Sequence, residues 1–141
     1  MKYFLFLFLF FYKITVAIPP TVVQLTPSNN ALNQLPDVNL TINFSQNIFK
    51  GTGTIQVYNA TTSTLITSFS VTQTYVTVNL SQMVINLPAN LPLFSQIYVL
   101  IDNQCFKNIS NEFFMGFLLP TNWGFSTTNE VINTSDRKSV V

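Results

Sequence analysis

The sequence predicts an all-β protein, an antiparallel β-sandwich of about seven to eight strands. Three observations lead to this fold class. Apolar and polar residues alternate in short stretches, β-branched and aromatic residues dominate those stretches, and turn-forming residues separate them. Nowhere do apolar residues recur at helical spacing over three turns. Regularly spaced short strands favour two stacked antiparallel sheets over a parallel sheet with crossover helices.

The N-terminal segment is predicted to be a secretory signal peptide. Lys2 supplies an early positive charge, an unbroken apolar run occupies 3–12, and Lys13 ends that run. This order, followed by small or modest residues up to Ala17, is typical of a cleaved signal. A membrane-spanning helix needs about 20 apolar residues, so a retained short anchor is the weaker alternative. The predicted domains are a signal peptide at 1–17, a sandwich at 18–128, and a flexible tail or truncated linker at 129–141.

The strands are predicted in order along the chain that follows the signal. The clearest lies at 37–45, where four apolar residues, ending with Phe44, alternate with polar ones and therefore share one face. Turn-forming residues at 27–30, 51–53 and 59–63 separate successive predicted strands. The full set of predicted strands is 22–25, 37–45, 54–58, 65–72, 74–80, 83–87, 97–102 and 123–127.

Four aromatic residues are expected in the core: Phe44, Tyr98, Trp123 and Phe125. Trp123 and Phe125 are two positions apart on one strand and therefore point the same way. Tyr98 follows a proline-rich corner, where a tyrosine hydroxyl can bond to upstream backbone and pin the crossing between sheets. Because the chain has one cysteine, no disulfide can join the sheets, and packing alone must hold them.

The composition excludes several kinds of site. Six basic and five acidic residues give a formal net charge of +1, which argues against electrostatic nucleic-acid binding. The absence of histidine removes Ser-His-Asp and Cys-His catalysis and His-ligated metals. Cys105 alone cannot form a cysteine-rich zinc site, and we interpret it as a small buried thiol, with a bridge between two chains as the alternative. We therefore predict no enzyme activity, no cofactor and no nucleic-acid partner.

A calcium site is a weak candidate in the loop at 102–112. Asp102, Asn108 and Glu112 all carry hard oxygen donors of the kind that calcium prefers. Asp102 is expected instead to bond the backbone amides of its own turn. A glycosidase built on Asp102 and Glu112 is less favoured, because no other catalytic group accompanies the two carboxylates.

N-glycosylation in a eukaryotic host is a further hypothesis. Six Asn-x-Ser/Thr triplets occur, and glycans would help to dissolve a surface so poor in charge. The alternative is that these residues are simply the uncharged polar face of the sheets. The candidate acceptors are Asn39, Asn43, Asn59, Asn79, Asn108 and Asn133.

A series of short motifs runs through the chain in a familiar order. The motifs are P-x-V-x-x-x-x-P-x-x-x-A at 20–31, L-x-I-x-F-S at 40–45, G-x-G-x-I at 51–55, Y-V-L-I-D at 98–102, N-x-F-x-x-G at 111–116 and W-x-F-x-T at 123–127. In this order they resemble the SbsA-type bacterial Ig-like domain of S-layer and other surface proteins. The resemblance spans about 20–128.

The resemblance implies an Ig-like β-sandwich of a kind often repeated in exported surface proteins. The implied function is a non-enzymatic, secreted or cell-surface module with a structural, spacer or adhesion role. One interpretation is that the chain is a fragment of a larger multidomain surface protein. The alternative is a carbohydrate- or ligand-binding β-sandwich, because Tyr58, Tyr75 and several asparagines are expected on exposed faces. Expected partners are other surface proteins or glycans, with no membrane span after signal cleavage.

Overall fold

A computed structural model describes residues 13–129, and within that range it forms eleven strands and no helix. Most of the predicted signal peptide and nearly all of the predicted tail lie outside the described residues. The strands are β1 (Val22–Thr26), β2 (Ala31–Gln34), β3 (Leu40–Phe44), β4 (Phe49–Lys50), β5 (Thr54–Asn59), β6 (Thr64–Ser70), β7 (Val76–Asn79), β8 (Gln82–Ile85), β9 (Gln96–Ile101), β10 (Phe106–Lys107) and β11 (Gly124–Thr127).

The strands form two main sheets, which confirms the predicted all-β sandwich. One sheet has four strands in the order β1-β3-β8-β7, all antiparallel. The other has five strands in the order β2-β11-β9-β5-β6, antiparallel except for the parallel pair of β2 with β11. A short third sheet joins β4 to β10. The last strand, β11, therefore lies beside β2, one of the first strands.

The alternation seen in the sequence accounts for the central strands. In β3, Leu40, Ile42 and Phe44 are buried, whereas the intervening residues are only half-buried. The strands β5 and β9 show the same period of two, because one face of each packs on the opposite sheet. Burial of each large apolar side chain contributes about 1.5–3 kcal/mol to stability.

An aromatic cluster fills one end of the core. Phe44 lies 5.7 Å from the ring of Phe106 and 5.2 Å from that of Phe114, measured between centroids. Trp123 is fully buried, and its Nε1 donates a hydrogen bond of 2.8 Å to the carbonyl oxygen of Pro27. The indole therefore supplies both apolar area and a satisfied polar contact between the first and last parts of the domain.

The predicted core positions of Phe44, Trp123 and Phe125 are observed, but that of Tyr98 is wrong. In β9 the buried positions are Ile97, Val99 and Ile101, so Tyr98 must point to the outer face of its sheet. There it stacks on Tyr58, with ring centroids 4.9 Å apart and planes 6° from parallel. Tyr98 is therefore not a core residue at the crossing between sheets, as expected, but half of an aromatic pair on the outer face of its sheet.

Each of the eight predicted strand segments overlaps an observed strand, and three additional strands were not predicted. The additional strands are β2, β4 and β10. Two of them have only two residues, and β2 lacks an alternating apolar pattern, with Ala31 and Gln34 half-buried between exposed residues. Such strands depend on the neighbours with which they pair, so local sequence does not reveal them.

Candidate functional site

The carboxylate of Asp102 is part of the fold. It follows β9, and its Oδ2 accepts a hydrogen bond of 2.8 Å from the backbone N–H of Thr54 at the start of β5. The amide thus belongs to a neighbouring strand and not, as expected, to the turn of Asp102 itself. Gly53, with a φ of 113°, allows the close approach, since a Cβ there would lie 3.2 Å from that of Asp102.

Asn108 uses its whole side-chain amide to organise the end of the domain. Its Oδ1 accepts hydrogen bonds from the backbone N–H groups of Ser110 and Glu112, at 3.0 and 2.9 Å. Its Nδ2 donates to the carbonyl oxygen of Ile18 at 3.0 Å and to Oε1 of Gln46 at 3.1 Å. The side chain is buried, with 4% exposure, and it ties the start of the domain to the loop after β10.

These contacts do not suit a calcium site. Oδ2 of Asp102 and Oδ1 of Asn108 already accept hydrogen bonds from backbone N–H groups, whereas a bound cation needs several oxygens turned toward one point. Within residues 13–129, no group of three or more acidic, cysteine or histidine residues is placed to hold a metal ion. The contacts of Oδ2 of Asp102 and of the Asn108 side chain are therefore explained by folding.

Cys105 is a buried thiol. It has no exposed surface, and its Sγ donates a hydrogen bond of 3.5 Å to the carbonyl oxygen of Thr54. Burial, with a smaller contribution from the negative charge of Asp102, raises the pKa of the thiol to about 12. A thiol in this state is a poor nucleophile at neutral pH, because only the thiolate reacts readily. Its burial also disfavours the alternative of a bridge between two chains.

The candidate glycosylation sites fall into three groups. Asn39 and Asn79 are exposed, and Asn133 lies outside the described residues. Asn43 is half-buried and bridges two neighbouring strands, donating to Gln24 at 3.1 Å and accepting from Gln82 at 3.0 Å. A glycan on its Nδ2 would displace the first of these contacts.

The other two acceptors, Asn59 and Asn108, are buried, against the expectation that they face water. The side chain of Asn59 accepts from the N–H groups of Thr61 and Thr62 and donates to Ser95. Both asparagines therefore organise turns from the inside, as short amide side chains often do. In the folded domain their Nδ2 atoms are unavailable to a glycan.

A concave surface on the outer face of the five-stranded sheet was not anticipated. Tyr98 pairs with Tyr58 on one side and with Gly124 on the other. A cavity of about 280 Å³ opens beside Tyr98 and is bordered by Gly124, Leu32 and Thr121. Only the sheet order brings these residues together, and the one local signal is a glycine within a strand.

A larger concave surface, of about 670 Å³, lies beside the edge strand β7. Its walls are mainly apolar and include Phe49, Val78 and Leu80. The amine of Lys50, which also borders it, donates to the carbonyl oxygen of Gln73 at 3.3 Å. Tyr75 lies near this edge and packs against Phe69, with ring centroids 5.7 Å apart. The groove offers apolar contact without converging polar groups.

Within residues 13–129, no helix has the length and apolar character needed to cross a membrane.

Comparisons with known proteins agree with this architecture. No curated protein matches the chain in sequence. Among solved structures, the crystal structure of CopC from Methylosinus trichosporium OB3b has a similar fold, with a TM-score of 0.52 and 9% sequence identity over 81% of this chain and 99% of that one. A family model described as "Bacterial Ig-like domain" matches residues 16–127. The two-sheet core and this match together show that the chain belongs to the bacterial Ig-like domain family.

Proposed function

We propose that the chain is an exported, non-enzymatic Ig-like module of the SbsA type, with a spacer or adhesion role outside the cell or at its surface. Bacterial Ig-like domains occur in surface and extracellular proteins and are generally not catalytic. The observation that carries the proposal is the parallel pairing of β2 with β11, near the two ends of the domain.

This pair has the geometry of a tension-bearing contact. The chain passes through β1 and then β2 and leaves through β11, and β2 and β11 run in the same direction. A pull that is transmitted past β1 to β2 slides β2 along β11 and loads their hydrogen bonds together, whereas peeling would break them one at a time. A spacer under tension needs this form of resistance.

Hydrogen bonds close the pair at both ends. The N–H of Asn30 donates to the carbonyl oxygen of Gly124 at 2.7 Å, and that of Thr128 donates to Gln34 at 2.8 Å. Between them, the N–H of Asn33 donates to the hydroxyl of Ser126 at 3.2 Å, beside a register shift in the ladder. The hydroxyl thus compensates for a backbone contact that the irregular register leaves out.

The polar groups of the described residues support a structural role. The carboxylate of Asp102, the thiol of Cys105 and the amides of Asn59 and Asn108 are all engaged in contacts that hold strands or turns. These polar side chains therefore stabilise the fold, which favours a module that acts through its shape and surface.

Single-molecule force spectroscopy on the domain pulled through its two ends tests the tension-bearing role. We expect Ser126→Ala to lower the unfolding force, because it removes one hydrogen bond between β2 and β11, worth about 1 kcal/mol. Ser68→Ala, on the edge strand β6 of the same sheet, is the matched control and should leave the force unchanged. Equal forces for Ser126→Ala and the unmodified protein would contradict the proposal.

Export is tested by expressing the whole chain in a secretory host and sequencing the N-terminus of the secreted product. We expect the product to begin at Ile18, since cleavage after Ala17 fits the small residue that signal peptidases require. Ala17→Arg should block cleavage and retain the apolar segment. A cytoplasmic product with an intact N-terminus would count against export.

A further inference from the structure

We infer that the outer face of the five-stranded sheet binds a neutral oligosaccharide, with one sugar ring seated against Tyr98 above Gly124. This inference rests on the adhesive part of the proposed function and gives it a ligand class. The tension-bearing role of β2 and β11 does not depend on it.

The strand order places an aromatic ring beside an empty position. Tyr98 lies opposite Tyr58 on β5 and opposite Gly124 on β11. Tyr58 stacks on one side of the Tyr98 ring, at 4.9 Å between centroids. Gly124, which has no side chain, borders the cavity of about 280 Å³ together with Tyr98.

The ring is held in place before any ligand arrives. Its plane lies within 6° of that of Tyr58, and both residues are half-buried on the sheet. A fixed ring loses little conformational freedom on binding, which lowers the entropic cost of association. The electron-rich face of such a ring attracts the weakly positive C–H groups on one face of a pyranose.

The rim of the cavity supplies neutral hydrogen-bonding groups. Asn30, Gln96 and Thr121 border it, and within the described chain their side chains make no hydrogen bond. Their backbones are nevertheless anchored: the N–H of Asn30 donates to Gly124, that of Gln96 donates to Thr61, and the carbonyl of Thr121 accepts from Asn29. The free side-chain amides and hydroxyl at the rim are therefore attached to backbone that is held in place, and they are available to a ligand.

The charge of the surface selects the ligand class. None of the residues described around the cavity is charged, so an anionic ligand would find no counter-charge and a cationic ligand no carboxylate. A ligand with an apolar face, a hydroxyl-bearing edge and no charge complements this surface. The volume is below that of most drug-sized sites, which begin near ~300 Å³, and therefore suits one sugar ring.

A second cavity extends the site along the sheet. It measures about 250 Å³ and shares Gln96 with the first. Its border includes Asn33, Ser126 and Phe94, whose side chain is 75% exposed. Two adjacent cavities joined by one amide side chain fit a chain of sugars better than a single sugar.

The test applies the secreted protein to an array of neutral oligosaccharides built on glucose, mannose, galactose or N-acetylglucosamine, and measures the Kd of any hit by calorimetry. We expect binding to at least one neutral oligosaccharide. Tyr98→Ala should weaken it at least about tenfold, because the stacking surface is lost. Tyr98→Phe, which retains the ring, should bind within about threefold of the unmodified protein.

Tyr75→Ala is the matched control, since it removes a tyrosine near the other sheet and should leave the Kd unchanged. Circular dichroism and melting curves establish that Tyr98→Ala is folded, and Gln96→Ala, at an exposed rim position, provides a second variant that should also weaken binding. Two results would overturn the inference: no binding to any neutral oligosaccharide on the array, or a Kd that is unchanged in both Tyr98→Ala and Gln96→Ala.

Discussion

Asn108 and Cys105 show how single residues with reactive or modifiable groups are used within the fold. Each combines burial with specific hydrogen bonds, Asn108 to Ile18 and Gln46, and Cys105 to Thr54. In both cases the cost of taking a polar group out of water is offset by a partner. Loss of these hydrogen bonds should therefore lower the free energy of unfolding, which can be measured.

Asn108→Asp is expected to destabilise the domain by about 2–3 kcal/mol. The change removes both Nδ2 hydrogen bonds and turns a carboxylate oxygen toward the oxygens of Ile18 and Gln46. Urea denaturation at pH 7 measures the loss. Asn39→Asp, at an exposed position, is the control and should stay within about 0.5 kcal/mol of the unmodified protein. Equal stability of the two variants would refute the anchoring role.

Cys105 should make the stability of the domain fall in alkaline solution. Its pKa is raised to about 12 in the folded chain from an ordinary value of 9.0, so the unfolded state loses the proton first. The stabilising contribution is complete below about pH 9 and is lost as the pH rises from there to about 12, by up to about 1.4 kcal/mol per pH unit. Between pH 9 and pH 12, the free energy of unfolding of Cys105→Ala should fall less steeply with pH than that of the unmodified protein. Identical slopes in both proteins would contradict the assignment.

At the scale of elements, backbone turns decide how closely strands approach each other. Gly116 has a φ of 81°, and a Cβ at this position would collide with the carbonyl oxygen of Ile101. Phe117, the next residue, forms an isolated bridge with Ile101 and packs on Trp123 at 5.9 Å between centroids. The glycine thus allows a loop to close over the aromatic end of the core.

Gly116→Ala should destabilise the domain by at least about 2 kcal/mol, because it combines left-handed backbone strain with a steric clash. A thermal melt gives the change. Met115→Ala, next to it and 79% exposed, is the control and should leave the melting temperature almost unchanged. An equally small effect of both substitutions would show that the loop can move away from Ile101.

At the scale of the whole molecule, the surface is rich in amides and hydroxyls and poor in charge. In a eukaryotic secretory host, we expect glycans on Asn39 and Asn79, where the side chains project into solvent. Gel mobility after glycosidase treatment of the secreted protein is the readout. Substitution of both residues by Gln should remove most of the shift, while Asn59→Gln should lower stability instead. An undiminished shift in the double variant would contradict this selection of sites.

The sequence by itself determined the fold class and most of the strands of this protein. Alternation in 40–44 and 96–101 is enough to define two-faced strands, because a buried face requires apolar residues at every second position. The burial of Trp123 and Phe125 also follows from their spacing and size.

Only the tertiary structure decided which face of β9 turns inward and which strands become neighbours. Tyr98 lies outside because the aliphatic residues of β9 occupy the core. Asn59 is buried with its amide bonded to its own turn and to Ser95, and Asn108 is buried with its amide bonded to the distant residues Ile18 and Gln46. The pairing of β2 with β11, and the cavity that it creates with Gly124, join residues more than 90 positions apart. Contacts of this kind depend on chain closure in three dimensions, and a local pattern of residue types carries no record of them.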